Sequence, residues 1–273
     1  MAPTHSVTKF VAFLALLVAI AAGVAWYQLR GRPGLPAAAN PDAKTAAIDD
    51  SWLSDLYSQN PRDTEKGTAT VNALGVKVLP QIQATLRDPS SEHNHRRAAL
   101  RAAGILGVAA EPVLAEVAAA LPDPDLTADA AVALSFMGPK AFEPLRQAVT
   151  SPDAVVRRES LRSIGKLRFR APIASDSVLP LLLDAMPDTD PTVRAVAATY
   201  LGILHENGPS SVPLLAVALE DPDPAVRRAS ASALGAFGSE AAPALPALKK
   251  AAADPDPDLA REAGRAIVAI EGK

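Results

Sequence analysis

The 273-residue chain has 49% hydrophobic but only 4% aromatic residues and no cysteine. It can bury a sizeable core of small aliphatic side chains, and disulfides and thiolate metal sites are excluded. Formal net charge is −3, and since residues 1–32 hold three basic groups and no acidic one, the remainder carries 24 basic against 30 acidic side chains. That balance argues against a uniformly basic nucleic-acid binder, so nucleic acid is not an expected partner.

After a short tail at 1–9, the 18 residues from Phe10 to Tyr27 (FVAFLALLVAIAAGVAWY) carry no charge, with Lys9 before them and Arg30 and Arg32 behind. A helix of that length reaches ~27 Å, close to the ~30 Å hydrocarbon core of a bilayer. Residues 10–29 are therefore read as a transmembrane anchor, with Trp26 and Tyr27 at the interface and the arginines among the headgroups. The alternative is a cleaved signal peptide, because Gly23-Val24-Ala25 supplies small residues at −3 and −1 and would leave a secreted or periplasmic chain. Flanking charges nearly balance, so orientation follows from export habit: the short N-terminus in the cytoplasm, and the rest on the periplasmic side of a bacterial inner membrane. Residues 30–47, rich in proline and alanine, read as a semi-extended spacer.

From 48 to 273 the chain repeats. Pro80, Pro112, Pro144, Pro180, Pro213 and Pro246 lie 32, 32, 36, 33 and 33 positions apart, each expected to open an apolar helix A. Turns follow at Asp88-Pro89, Asp123-Pro124, Ser151-Pro152, Asp188, Asp221-Pro222 and Asp254-Pro255, and then comes a second helix, B. A period of this size with two helices per unit predicts an all-α solenoid of about six repeats, in which stacking builds one continuous core. Asp190-Pro191, Asp223-Pro224 and Asp256-Pro257 suit helix starts, the carboxylate accepting an orphan N–H and proline losing only one that had no partner. In the fifth helix B, Val226, Ser230, Ala233, Leu234 and Phe237 share one face and should point inward, and Gly238 should turn the chain into the next unit.

The segment DPDPAVRRASASALGAFG at 221–238, with DTDPTVRAVAATYLGIL at 188–204 and SPDAVVRRESLRSIGKL at 151–167, resembles the HEAT-repeat family, in particular its short phycobilisome-lyase-like variety. The resemblance covers roughly 62–273 and implies a right-handed α-solenoid with helix B on the concave side. Two places depart from it: LTADAAVALSFMG at 126–138 lacks the V-R pair, and the connection RFRAPIASDS at 168–177 is longer than its counterparts. The resemblance also implies a structural ladder of Arg96, Arg157, Arg194 and Arg227 in which each guanidinium meets a turn aspartate. Asp188 and Asp221, six residues before Arg194 and Arg227, are the candidate partners.

One residue beyond the ladder, and four further on, stand Arg97, Arg101, Arg158, Arg162, Arg228, Arg261 and Arg265. Stacking should align these seven into a broken basic row, interrupted at Ala195 and Thr199. The row reads either as solvated side chains paired with carboxylates such as Glu159 and Glu262, or as a groove for an acidic partner protein. No catalytic constellation is found. His205-Glu206 is similar to the metal motifs of HEAT-repeat di-iron hydroxylases, which need several such pairs, and His93 and His95 would need further ligands, so no metal or other cofactor is expected. The tryptophans at 26 and 52 lie outside the regular repeats, which leaves base-stacking platforms unsupported. The expected function is a membrane-tethered, non-catalytic protein-interaction scaffold. The alternative is an accessory subunit resembling bilin lyases, holding an anionic ligand such as a bilin in its groove.

Overall fold

Turn chemistry sets the helix starts in this computed structural model, which describes residues 49–272; the segments at 10–29 and 30–47 lie outside the described residues. Asp153, Asp190, Asp223 and Asp256 all have extended backbone at the N-cap, and their carboxylates accept the first orphan N–H groups of the helices that follow. A leading hairpin, α1 (Ser51–Leu56) and α2 (Pro61–Leu74), precedes six helix pairs. The A helices are α3 (Leu79–Arg87), α5 (Leu114–Ala119), α7 (Phe142–Ala148), α9 (Ser175–Asp184), α11 (Gly208–Ala218) and α13 (Leu245–Ala251). Their B partners are α4 (His93–Leu106), α6 (Thr127–Leu134), α8 (Ala154–Arg170), α10 (Pro191–Leu204), α12 (Pro224–Ala236) and α14 (Pro257–Glu271). Among the described residues there is no strand.

Each B helix packs on its own A helix and on the B helix of the next unit, so a single apolar cluster runs from Trp52 to Ile270. Val226, Ser230, Ala233, Leu234 and Phe237 are all buried in it, as their spacing predicts. The run His93–Ala119 is long and apolar enough to cross a membrane, but Gly107, at φ 57°, breaks it, and Ala98, Ala99, Ala102 and Ala103 are buried in the core. Gly238 turns the chain at φ 54°, where a β-carbon would be strained.

The prolines behave differently from expectation. Pro80 and Pro246 do open α3 and α13, but Pro112 sits in a 3₁₀ turn before α5, and Pro144, Pro180 and Pro213 lie inside α7, α9 and α11. A proline within or just beyond the first turn forfeits at most one ladder hydrogen bond, so helix can form ahead of it. The long connection at 168–177 also resolves differently. Gly165 stays helical and Arg168 stands where other units carry a turning glycine, so α8 continues to Arg170 and leaves only 171–174 as linker. The second unit is irregular as its sequence suggests, with α6 the shortest B helix at 8 residues.

Candidate functional site

The ladder forms at Arg96, Arg157 and Arg194, each of which reaches forward, while Arg227 bonds only the carbonyls of its own turn. Arg157 donates from Nε and Nη2 to Asp188 at 2.8 and 2.7 Å, and Arg194 does the same to Asp221 at 2.7 and 2.8 Å. Arg96 meets Asp123 at 3.3 Å. The aspartate six residues upstream contributes only backbone: Arg194 Nη1 bonds the carbonyls of Asp188 and Thr189, and Arg227 Nη1 those of Asp221 and Pro222. Asp221 is therefore the partner of Arg194 and not of Arg227, which corrects the pairing expected from the sequence. A forked guanidinium thus ties one turn's carbonyls to the next unit's carboxylate, and one side chain links two repeats.

In the second unit both the arginine and the acid it would meet are missing. Thr127 replaces the arginine, its hydroxyl donating to the carbonyls of Leu121 and Asp123, and the next turn carries Ser151 in place of aspartate. Thr64 plays the same part in α2, donating to the carbonyls of Ser58 and Asn60. The leading hairpin therefore follows repeat chemistry although it precedes the proline rhythm.

Electrostatics follow this geometry. The Arg157 hydrogen bonds hold the Asp188 carboxyl below the usual aspartate range against the opposing effect of burial. At Asp221 burial is the largest single influence and pushes upward, yet the Arg194 hydrogen bond, the Asp223 N–H and the charges of Arg194 and Arg227 together leave it lowered.

All seven arginines of the expected row lie on B helices, and the structure gives each of them a partner. Arg97 donates to Asp129 at 2.7 Å and stacks 4.5 Å from the Tyr57 ring centroid. Arg158 and Arg162 share Glu159, which is buried. Arg228 pairs with Asp256 and Asp258, Arg261 with Asp258 and Glu262, and Arg265 with Glu262. Among the described residues Arg101 bonds only the carbonyl of Leu56, at 3.1 Å. The carboxyl-terminal half of the row is thus an alternation of charges in which Arg261 and Arg265 are exposed and their neighbours partly buried. Arg228→Ala combined with Arg261→Ala is expected to change stability by no more than ~1 kcal/mol in urea unfolding. A larger loss would show those pairs to be structural.

The sequence reading missed the apolar residues between these charges. Val132 and Phe136 on the second unit stand exposed, and the Arg170 guanidinium lies 3.9 Å from the Phe136 ring centroid while donating to Ser135 Oγ. The only signal available was the V-R gap in that unit. A cleft of about 530 Å³ lies between α10, α12 and α14, bordered by Thr199, Ile203, Arg228 and Arg261. On the A side a groove of about 760 Å³ is lined by Leu183, Met186, Leu214 and Val217. Trp52 is buried and donates to Gln81 at 3.2 Å. His205 caps α10 at φ 38°, Glu206 pairs with Arg168, and His95 lies 3.4 Å from Ser54 Oγ. Among the described residues no group of three or more His, Asp or Glu could hold a metal ion.

Stacked helical hairpins tied by an arginine ladder define a repeat-built α-solenoid whose B layer faces solvent. Residues 142–207 and 179–268 match the family of HEAT repeats, and over that stretch the chain belongs to the HEAT-repeat family, an interaction-scaffold fold. No curated protein matches the chain. Among solved structures, a chain from the complex of Kap95p with RanGDP is 14% identical with a TM-score of 0.54, covering 80% of this chain and 34% of that one. An engineered protein is 18% identical with a TM-score of 0.47, covering 82% and 96%. Human deoxyhypusine hydroxylase in complex with glycerol is 18% identical with a TM-score of 0.35, covering 82% and 96%. At these identities the likeness concerns fold alone.

Proposed function

We propose that this protein is a membrane-tethered, non-catalytic scaffold that holds a partner protein on its helix-B layer. One observation carries the reading: Val132, Phe136 and Ile203 stand 43%, 42% and 47% exposed on the B layer, among arginines. Exposed apolar side chains rimmed by charge suit protein association. The likeness in fold to a chain from a complex between Kap95p and RanGDP supports the same reading. The finer assignment to the short phycobilisome-lyase-like variety rests on the turn, V-R and L-G spacing alone.

The tether is proposed from Phe10–Tyr27, with the repeats on the periplasmic side of a bacterial inner membrane. Crosslinking in intact cells, followed by a carbonate wash and purification of the full chain from the membrane pellet, tests both parts. The expected result is retention in the pellet with a defined crosslinked protein. A soluble mature form beginning near Trp26 would remove the tether, and a membrane-bound chain without any crosslinked protein would remove the scaffold.

A further inference from the structure

The B layer is not electrically uniform. On α12 and α14, Arg228, Arg261 and Arg265 face Asp256, Asp258 and Glu262, one carboxylate for each cation. On α4 and α8 the count differs: Arg158 and Arg162 share the single Glu159, while Arg101, Lys166 and Arg170 meet no carboxylate among the described residues. Counting also Arg97, which pairs with Asp129 on α6, six cations against two acids leave a local surplus of four positive charges.

That surplus surrounds the exposed apolar pair. Arg162, Lys166 and Arg170 follow one another at i, i+4 and i+8 along α8, so they form one stripe. Arg170 touches Phe136, and α6 lies between α4 and α8, packed on both. Val132 occupies the same repeat position on α6 that Arg101 holds on α4 and Arg162 on α8, counting back from Gly107, Gly138 and Arg168. The layer therefore presents, across three successive helices, cation, apolar pair, cation. With neighbouring helices ~10 Å apart the span is ~20 Å, the length of about six extended residues.

We infer that the α4–α6–α8 face binds a short acidic segment of a partner protein, an apolar side chain of which rests on Val132 and Phe136 while flanking carboxylates meet Arg101, Lys166 and Arg170. This rests on the scaffold reading and narrows it to one half of the layer and one chemistry. Charge complementarity selects an anionic ligand, and the apolar centre favours a peptide over a nucleic-acid backbone, which offers no aliphatic anchor. A lipid surface fits less well, because one face of Phe136 is already covered by Arg170.

The test is fluorescence anisotropy with the purified full chain and a labelled synthetic twelve-residue peptide of glutamates and aspartates around one Leu-Phe pair. Saturable binding is expected, weakened about tenfold when serines replace the Leu-Phe pair and by a similar factor in Lys166→Glu or Arg170→Glu. Arg265→Glu, in the balanced half, should bind as the parent does, and thermal melts should confirm that every variant is folded. Absence of saturable binding would overturn the inference, as would an equal loss in Arg265→Glu. So would tighter binding, with the same residue dependence, of an oligothymidine or of phosphatidylserine vesicles. If the peptide fails while the membrane crosslinking returns a partner protein, the scaffold reading stands and only this face is wrong.

Discussion

Gly202→Ala is expected to lower stability by ~3 kcal/mol, the upper end of what overpacking costs. A β-carbon built on Gly202 would lie 2.5 Å from the Cα and 2.7 Å from the Cβ of Ala233 on the next B helix, so α10 and α12 would have to separate. Backbone cannot swing aside as a side chain can, and the loss would spread to the ladder and the core that depend on the same spacing. Gly165 offers the comparison: its added carbon would strike the half-buried Tyr200 ring at 2.2 Å, and a ring can relocate at smaller cost. Gly264 completes the set, since nothing lies within 4 Å of its added carbon and its backbone is helical. Gly264→Ala should therefore stabilise by up to ~1 kcal/mol through helix propensity. Urea midpoints of the three variants would order them Gly202, Gly165, parent, Gly264. A Gly202→Ala protein as stable as the parent would show that the B helices are not in close contact there.

Arg194→Ala is the second large expected effect, ~3 kcal/mol, because it strips the largely buried Asp221 of its forked partner and leaves the carbonyls of Asp188 and Thr189 without their donor. Arg227→Ala should cost only ~1 kcal/mol, since Arg227 bonds carbonyls alone and its buried Nε has no partner. The pH dependence separates the two. Asp188 and Asp221 are held below the ordinary aspartate value of 3.8, so their folded pKa values lie under the unfolded ones. Their contribution is fully present above the unfolded value and is lost as pH falls through the folded ones. Urea midpoints should thus drop steeply below about pH 4 in the parent, less steeply in Arg194→Ala, and nearly as in the parent in Arg227→Ala. Parallel curves for all three would sink the ladder assignment.

Much of this was legible in the chain. The proline and aspartate rhythm located all six hairpins, because a helix must satisfy its first N–H groups locally, and Asp190-Pro191, Asp223-Pro224 and Asp256-Pro257 do so within four residues. The inward face of α12 was legible for a similar reason: a helical period needs only the spacing of Val226, Ser230, Ala233 and Leu234.

Other features depended on which unit lies beside which. Whether Asp221 meets Arg194 or Arg227 is invisible in sequence, since both are at plausible separations, and only the stacking offset decides for the preceding repeat. The matched loss at Thr127 and Ser151 is likewise two unremarkable polar residues until stacking makes them one missing rung. The row of seven arginines could be counted from the chain, but its division into a balanced and a surplus half follows from which carboxylates the neighbouring helices bring within reach. Local hydrogen bonding and helical period are properties of a few consecutive residues, and the sequence by itself determined them. Charge pairing and exposed apolar patches are properties of contacts about 30 residues apart, and only the packing of one repeat on the next decided those.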